Sequence, residues 1–213
     1  MDTHDLLKCL HKQTLGTKIT FLGVFCSDQL LTLDIPSKSF MLISNILKSH
    51  DPPDTMGHWI VIYGDRHKVV FLDSLGFPPS FYGEAFTHFM GKVKGSMYAF
   101  KEGFQVPNSL TCGLYSIFFI HYTSHHGLKK CLKYTYNHFE PSKKMENDML
   151  IKKYFALDMD QSCQLWLSRE EKAMSYGECM KYKGEFFSYY FFMFFFFNIS
   201  IIIIIIIIIN VII

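Results

Sequence analysis

Apolar and polar positions alternate in short, well-separated blocks along most of the chain. Residues 4–14 (HDLLKCLHKQT) set Leu6, Leu7, Cys9 and Leu10 at the spacing of a short amphipathic helix, closed by Gly16. Residues 19–25 (ITFLGVF) predict a buried extended segment. Residues 37–49 (SKSFMLISNILKS) open on a Ser and carry Phe40, Leu42, Ile43, Ile46 and Leu47, the spacing of a helix packed on a core. A turn-rich loop, SHDPPDTMG, follows. Two strands are expected over 58–64 (HWIVIYG) and 68–74 (KVVFLDS), joined by the short connection Asp65-Arg66-His67. Helical character is expected at 81–94, a short strand at 97–100 and a polar loop at 103–108. From Cys112 the run CGLYSIFFIHYTSHH is apolar and long enough for a buried helix, and two more helices are expected at 129–139 and 143–156. Past Gln161 the pattern fades, and no internal repeat is present.

At 213 residues the chain suits one domain with an appendage, and its composition divides the same way. Phe186 to Ile213 contains no Asp, Glu, Lys or Arg, and includes nine consecutive Ile and four consecutive Phe. The body before it is an ordinary globular composition. Three segments result: a domain over 1–158, a weakly patterned extension over 159–185 and an apolar Phe/Ile tail over 186–213. As a membrane span, the tail exceeds the ~20 residues needed, and Lys181 and Lys183 before it would keep the body cytosolic. As a low-complexity run, it has the character of translated AT-rich repeats and lacks small packing residues. The second reading is preferred, and a membrane is a partner only under the first.

Net charge narrows the function. A balance of +2 gives no footprint for nucleic acid, and the hydrophobicity is too high for a disordered chain. Six cysteines, Cys9, Cys26, Cys112, Cys131, Cys163 and Cys179, contain no C-x-x-C pair, so neither zinc nor a disulfide scaffold is expected. His121, His125 and His126 lack a carboxylate or Cys at ligand spacing. No metal and no cofactor are therefore expected. The opening MDTHDLLKCLHKQ has no apolar signal core, so an intracellular setting, cytoplasmic or nuclear, with free thiols is expected. His67 is expected on the surface, Lys143-Lys144 and Lys152-Lys153 as solvated charges, and Asn147-Asp148 as a helix or turn feature without a part in chemistry.

Three local contexts combine into one chemistry. Gly57-His58-Trp59 opens a strand, Asp73 ends the next, and Gln105-Val-Pro-Asn-Ser-Leu-Thr-Cys112-Gly113 leads into the apolar helix. Each alone reads most simply as structural. Together they supply what a thiol nucleophile needs. A helix N-terminus lowers the thiol pKa of Cys112. His58 and Asp73, on adjacent strands, can meet at one end of a sheet as a base and its orienting acid. Gln105 and the Cys112 backbone N–H can serve an oxyanion, and Gly113 allows close approach of a substrate backbone.

The order His58, Asp73, Gln105, Cys112 and the string Gln105-x-x-Asn108-Ser109-x-x-Cys112-Gly113-Leu114 resemble the adenovirus-type maturation proteases (adenain). More broadly, they resemble the clan that includes the SUMO-deconjugating proteases and proteases of Maverick/Polinton transposons. The resemblance takes in Phe21-Leu22-Gly23, Gly57-His58-Trp59 and Phe71-Leu72-Asp73-x-x-Gly76-Phe77, and covers about residues 5–155. It implies an α+β, papain-like-related cysteine protease fold, with a central mixed sheet flanked by helices and the nucleophile at a buried helix N-terminus. It also implies Cys112 as nucleophile, His58 as general base and acid, Asp73 as orienting carboxylate, Gln105 as oxyanion donor, and Trp59 packed beside the imidazole. The implied partner is a protein substrate, a capsid-type precursor or a ubiquitin-like conjugate. The chain departs from the adenoviral enzyme in two places. Asp73 stands where that enzyme has Glu, although the deconjugating enzymes have Asp. No Cys lies between Asp73 and Gln105 to tether an activating peptide.

Overall fold

The structure is a computed structural model that describes residues 3–158, except 12–13, 15–16, 53 and 94. The chain divides into two compact units, Met1–Leu167 and Ser168–Ile213, and every described residue belongs to the first. Gly16, Cys163, Cys179, the 159–185 extension and the 186–213 tail lie outside the described residues. Among the described residues, no helix is long and apolar enough to cross a membrane.

A five-stranded mixed sheet forms the centre, with strands in chain order across it: β1 (Thr20–Phe25), β2 (Phe40–Asn45), β3 (Trp59–Gly64), β4 (Lys68–Leu72) and β5 (Ser96–Ala99). β1 and β2 are parallel, β2–β3 and β3–β4 antiparallel, and β4 and β5 parallel. The helices are α1 (Thr3–His11), α2 (Glu84–Lys92), α3 (Cys112–His126), α4 (Leu128–His138) and α5 (Lys144–Asp158). The expected α+β class, a mixed sheet flanked by helices, is the architecture observed.

Strand periodicity sorts the core into two layers. Met41, Ile43, Val61, Tyr63, Val70 and Leu72 face one side, where α1, α3, α4 and α5 bring Leu10, Leu114, Phe118, Cys131 and Phe155. Phe40, Leu42, Ile60, Ile62, Val69 and Phe71 face the other, where Leu30 and the α2 residues Phe86, Phe89 and Met90 cover them. α3 has no amphipathic stripe because it has no wet side at its start. Every residue from Cys112 to Ile120 is buried.

One expected element is wrong in type. The helix expected over 37–49 is the strand β2, and Phe40, Met41, Leu42 and Ile43 are each at most 1% exposed. Burying such side chains is worth about 1.5–3 kcal/mol each. Helix propensity differences are a few tenths of a kcal/mol per residue for these types. A strand between two others buries all four, alternately on both faces, so packing outweighs propensity. A run apolar on both strand faces also mimics helical spacing. The 81–94 helix is shorter than expected. Its opening residues are a 3-10 turn, Pro79–Tyr82, and α2 starts at Glu84.

Candidate active site

The hairpin assembles the first two residues. β3 and β4 are antiparallel, so the residue before β3 and the residue after β4 share one end of the sheet. These are His58 and Asp73. His58 Nε2 lies 2.6 Å from Asp73 Oδ1, with His58 6% and Asp73 1% exposed. The connection at the far end, Asp65–His67, is held by Asp65, which accepts from the His67 and Lys68 backbone N–H groups, and His67 is exposed there as expected.

Asp73 is saturated with donors. Oδ1 accepts from His58 and from the Leu75 N–H at 2.9 Å. Oδ2 accepts from the Phe77 N–H at 2.8 Å and the Tyr82 hydroxyl at 2.8 Å. The turn after β4 thus folds around the carboxylate, as an Asp that bonds its own following backbone does. Four donors fix the plane of the carboxylate. Tyr82 also stacks on the imidazole, with ring centroids 5.9 Å apart and planes 22° apart.

α3 brings the third residue. Cys112 is its first residue, and its side chain hydrogen-bonds with His58 and with the Trp59 backbone N–H. Nε2 of His58 is committed to Asp73, so Nδ1 faces the thiol. Burial acts against charge on both partners. For His58, the bonds to Asp73 and Cys112 outweigh that penalty and raise its pKa to about 10. For Cys112, the His58 pairing and the Trp59 N–H outweigh it and hold the thiol below the ordinary cysteine range. The state favoured is a thiolate–imidazolium pair. Cys131 shows what burial does without such a partner: its thiol is pushed up to about 12. Cys26 is raised too, by burial and then by Asp28 and Asp51.

Gln105 completes the set. Its Oε1 accepts from the Ser74 hydroxyl, which fixes the amide's orientation, and its Nε2 donates to the Ser109 carbonyl at 2.9 Å. A primary amide carries two N–H groups, so a second donor remains. The N–H of Cys112, in the first turn of α3, has no acceptor within its own helix. The loop carrying Gln105 reaches the Asp73 turn because two glycines meet there. A Cβ on Gly76 (φ +78°) would lie 2.2 Å from Gly103 N, and one on Gly103 2.1 Å from Leu75 O. That contact lets Ser74 O accept from both the Phe104 and Gln105 N–H groups, at 3.0 and 3.1 Å.

No family model matches the chain, and no curated protein matches it. Among solved structures it is similar to the crystal structure of the ASFV pS273R protease. Identity is 16% and the TM-score 0.46, over 68% of this chain and 64% of that one, so the chain spans less than two thirds of that protein's length.

All four residues singled out for chemistry, His58, Asp73, Gln105 and Cys112, thus come to one end of the sheet, with Gly113 buried behind Cys112. Trp59 is buried in the layer beneath α3, and its backbone, through the N–H, reaches the thiol. The stacked ring against His58 is that of Tyr82. Tyr82 and Ser74 were not anticipated. Ser74 had a signal in its adjacency to Asp73, whereas Tyr82 is nine residues from Asp73 across a 3-10 turn whose geometry the sequence does not state. Among the described residues, no group of three or more His, Cys, Asp or Glu is arranged to hold a metal.

The electrostatics set a pH window. Between the lowered Cys112 pKa and about 10, the pair is charged; below it the thiolate protonates, and above it His58 loses its proton. Iodoacetamide is therefore expected to alkylate Cys112 ahead of Cys26 and Cys131 below the ~8.5 of a free cysteine. Peptide mass mapping of timed reactions reads the order. A Cys112 rate that climbs only near ~8.5 or above contradicts the ion pair.

Proposed function

We propose that the chain is a cysteine peptidase of the adenain and ubiquitin-like-protease kind, an endopeptidase acting on precursor proteins. The observation that supports it best is the continuous line of hydrogen bonds from Asp73 through His58 to Cys112, with Gln105 anchored on Ser74, the residue after Asp73. The Cys112 thiolate attacks a peptide carbonyl carbon, forming a C–S bond and an oxyanion. The Cys112 N–H and the second Gln105 Nε2–H donate to that oxyanion. As the intermediate collapses, the C–N bond breaks and Nδ1–H of His58 protonates the departing amine. In the second half, neutral His58 takes a proton from water, hydroxide attacks the thioester, and the carboxylic acid leaves as the thiolate is restored. Asp73 holds the ring with its Nε2–H inward throughout.

The test is hydrolysis of a peptide library by wild type and Cys112→Ala. Cleavage by wild type alone supports the reading. Equal turnover by both forms, or by neither, refutes it. A ubiquitin or SUMO C-terminal electrophile that labels Cys112 would move the substrate from precursor proteins to ubiquitin-like conjugates.

A further inference from the structure

Gln105 and Cys112 are joined by a loop without regular secondary structure. Bonds within the loop, such as Gln105 Nε2 to the Ser109 carbonyl, hold its middle, and an adjacent pair on α5 reaches both of its ends. Asn147 is 3% exposed, and all of its polar atoms are engaged. Nδ2 donates to the carbonyls of Phe104 at 2.9 Å and Glu140 at 2.8 Å, while Oδ1 accepts from the Glu140 N–H at 3.1 Å. Phe104 immediately precedes Gln105, and its own N–H is held by Ser74. The peptide carrying Gln105 is thus pinned from the Asp73 turn on one side and from α5 on the other.

Asp148 holds the other end. It is 7% exposed, and Oδ1 accepts from the Tyr115 hydroxyl at 3.0 Å. Tyr115 lies on the first turn of α3, three residues past Cys112 and on its face of the helix. The hydroxyls of Ser109 and Thr111 and the Val106 N–H also act on the carboxylate from within the loop, against a burial that raises its pKa. Ser109 is the residue whose carbonyl takes the Gln105 amide. From sequence, Asn147-Asp148 read as a helix or turn feature, and the proposed chemistry uses neither residue directly.

We propose that Asn147 and Asp148 are positioning residues: together they fix the two ends of the Gln105–Cys112 loop and so set the oxyanion site formed by the Gln105 side chain and the Cys112 N–H. The proposal rests on the peptidase reading. A purely structural brace would bury the same side chains, so the test needs a readout that stability alone does not move. Alkylation by iodoacetamide needs the thiolate but builds no oxyanion, whereas peptide hydrolysis needs both.

Two variants keep size and change polarity. Asn147→Asp sets a carboxylate oxygen against the Phe104 carbonyl, and Asp148→Asn removes the charge facing the loop. Each is expected to lower kcat/KM on a cleaved peptide by about 10- to 100-fold, carried by kcat. Cys112 alkylation at pH 7 is expected to stay within about twofold of wild type. Met149→Ala, at a 68% exposed position of α5, is the control and is expected to match wild type. Variants that fold and keep kcat overturn the proposal. So does alkylation slowed in parallel, which would place the effect on the thiolate–imidazolium pair, or loss of folding in both variants, which would assign the residues to stability. A wild type without Cys112-dependent hydrolysis removes the peptidase reading and this proposal with it. With an active wild type, the variants decide the proposal alone.

Discussion

His58→Ala is expected to lower kcat/KM by on the order of 10⁵-fold or more. In the proposed reaction the ring would have three tasks that no neighbour can take over. It would keep the buried Cys112 as a thiolate, protonate the leaving amine and deprotonate the second-step water. Without it, burial acts on Cys112 as it acts on Cys131, whose thiol is pushed up to about 12. The Trp59 N–H remains, but one neutral donor does not replace a charge in contact. The fold is expected to survive, because His58 stands at the sheet's end, before β3 begins, and not within either apolar layer. Two measurements separate the tasks. Hydrolysis reads all three, while iodoacetamide alkylation at pH 7 reads only the thiolate and should fall with it. Alkylation at the wild-type rate in the variant would mean that the helix terminus and the Trp59 N–H suffice to ionise Cys112. The imidazole would then be only a proton carrier.

The site was more legible than some of the scaffold that carries it, and the reason is physical. Chemistry restricts residue type and spacing. A thiol at a helix start, a His and an acid at strand ends and an amide seven residues before the thiol narrow the arrangements the chain can adopt. The strands β3 and β4 were legible because β-branched and aromatic residues cluster there between turn signals. β2 was not, because its four consecutive buried apolar residues serve two layers and carry no alternation. Tyr82, Asn147 and Asp148 were illegible as contributors to the site for another reason. Each acts through a contact made only once separate elements have packed: the 3-10 turn against His58, and α5 against the loop before α3. Hydroxyls, amides and single carboxylates are common on any helix or turn, and nothing local marks the ones that will be buried against a reactive group. Gly76 and Gly103 were likewise visible only as turn residues. Their use, mutual approach of two backbones, depends on a partner 27 positions away along the chain.

Asp73→Asn is expected to cost about 10³- to 10⁴-fold in kcat and about 3 kcal/mol of stability, although it changes only one atom. The carboxylate receives four donors, two on each oxygen: His58 and Leu75 on Oδ1, Phe77 and Tyr82 on Oδ2. An amide offers one oxygen and one NH₂, so one side must meet donor with donor. If the NH₂ turns toward Phe77 and Tyr82, the hydroxyl can rotate to accept but the Phe77 N–H is left without a partner. The amide oxygen then still orients His58, but the negative charge that stabilised its imidazolium is gone. If the NH₂ turns toward His58, the Leu75 N–H is orphaned and the ring must present a lone pair at Nε2. Its proton then sits on Nδ1, against the sulfur, and neutral His58 cannot accept the proton of the thiol. Each orientation orphans one backbone N–H, but the first is the cheaper one, because it asks only a hydroxyl to rotate whereas the second strips the proton from His58 Nε2. It predicts a specific pH signature. The raised His58 pKa of about 10 rests on Asp73 and Cys112 together, so removing the carboxylate's charge lowers it. The alkaline limb of kcat/KM therefore moves down from near 10, and the window in which the pair is charged narrows from above. Thermal melting and a pH–rate profile of the variant test both halves. A variant that melts with wild type and keeps its alkaline limb in place would show that Asp73 neither stabilises the turn nor holds the charge on His58.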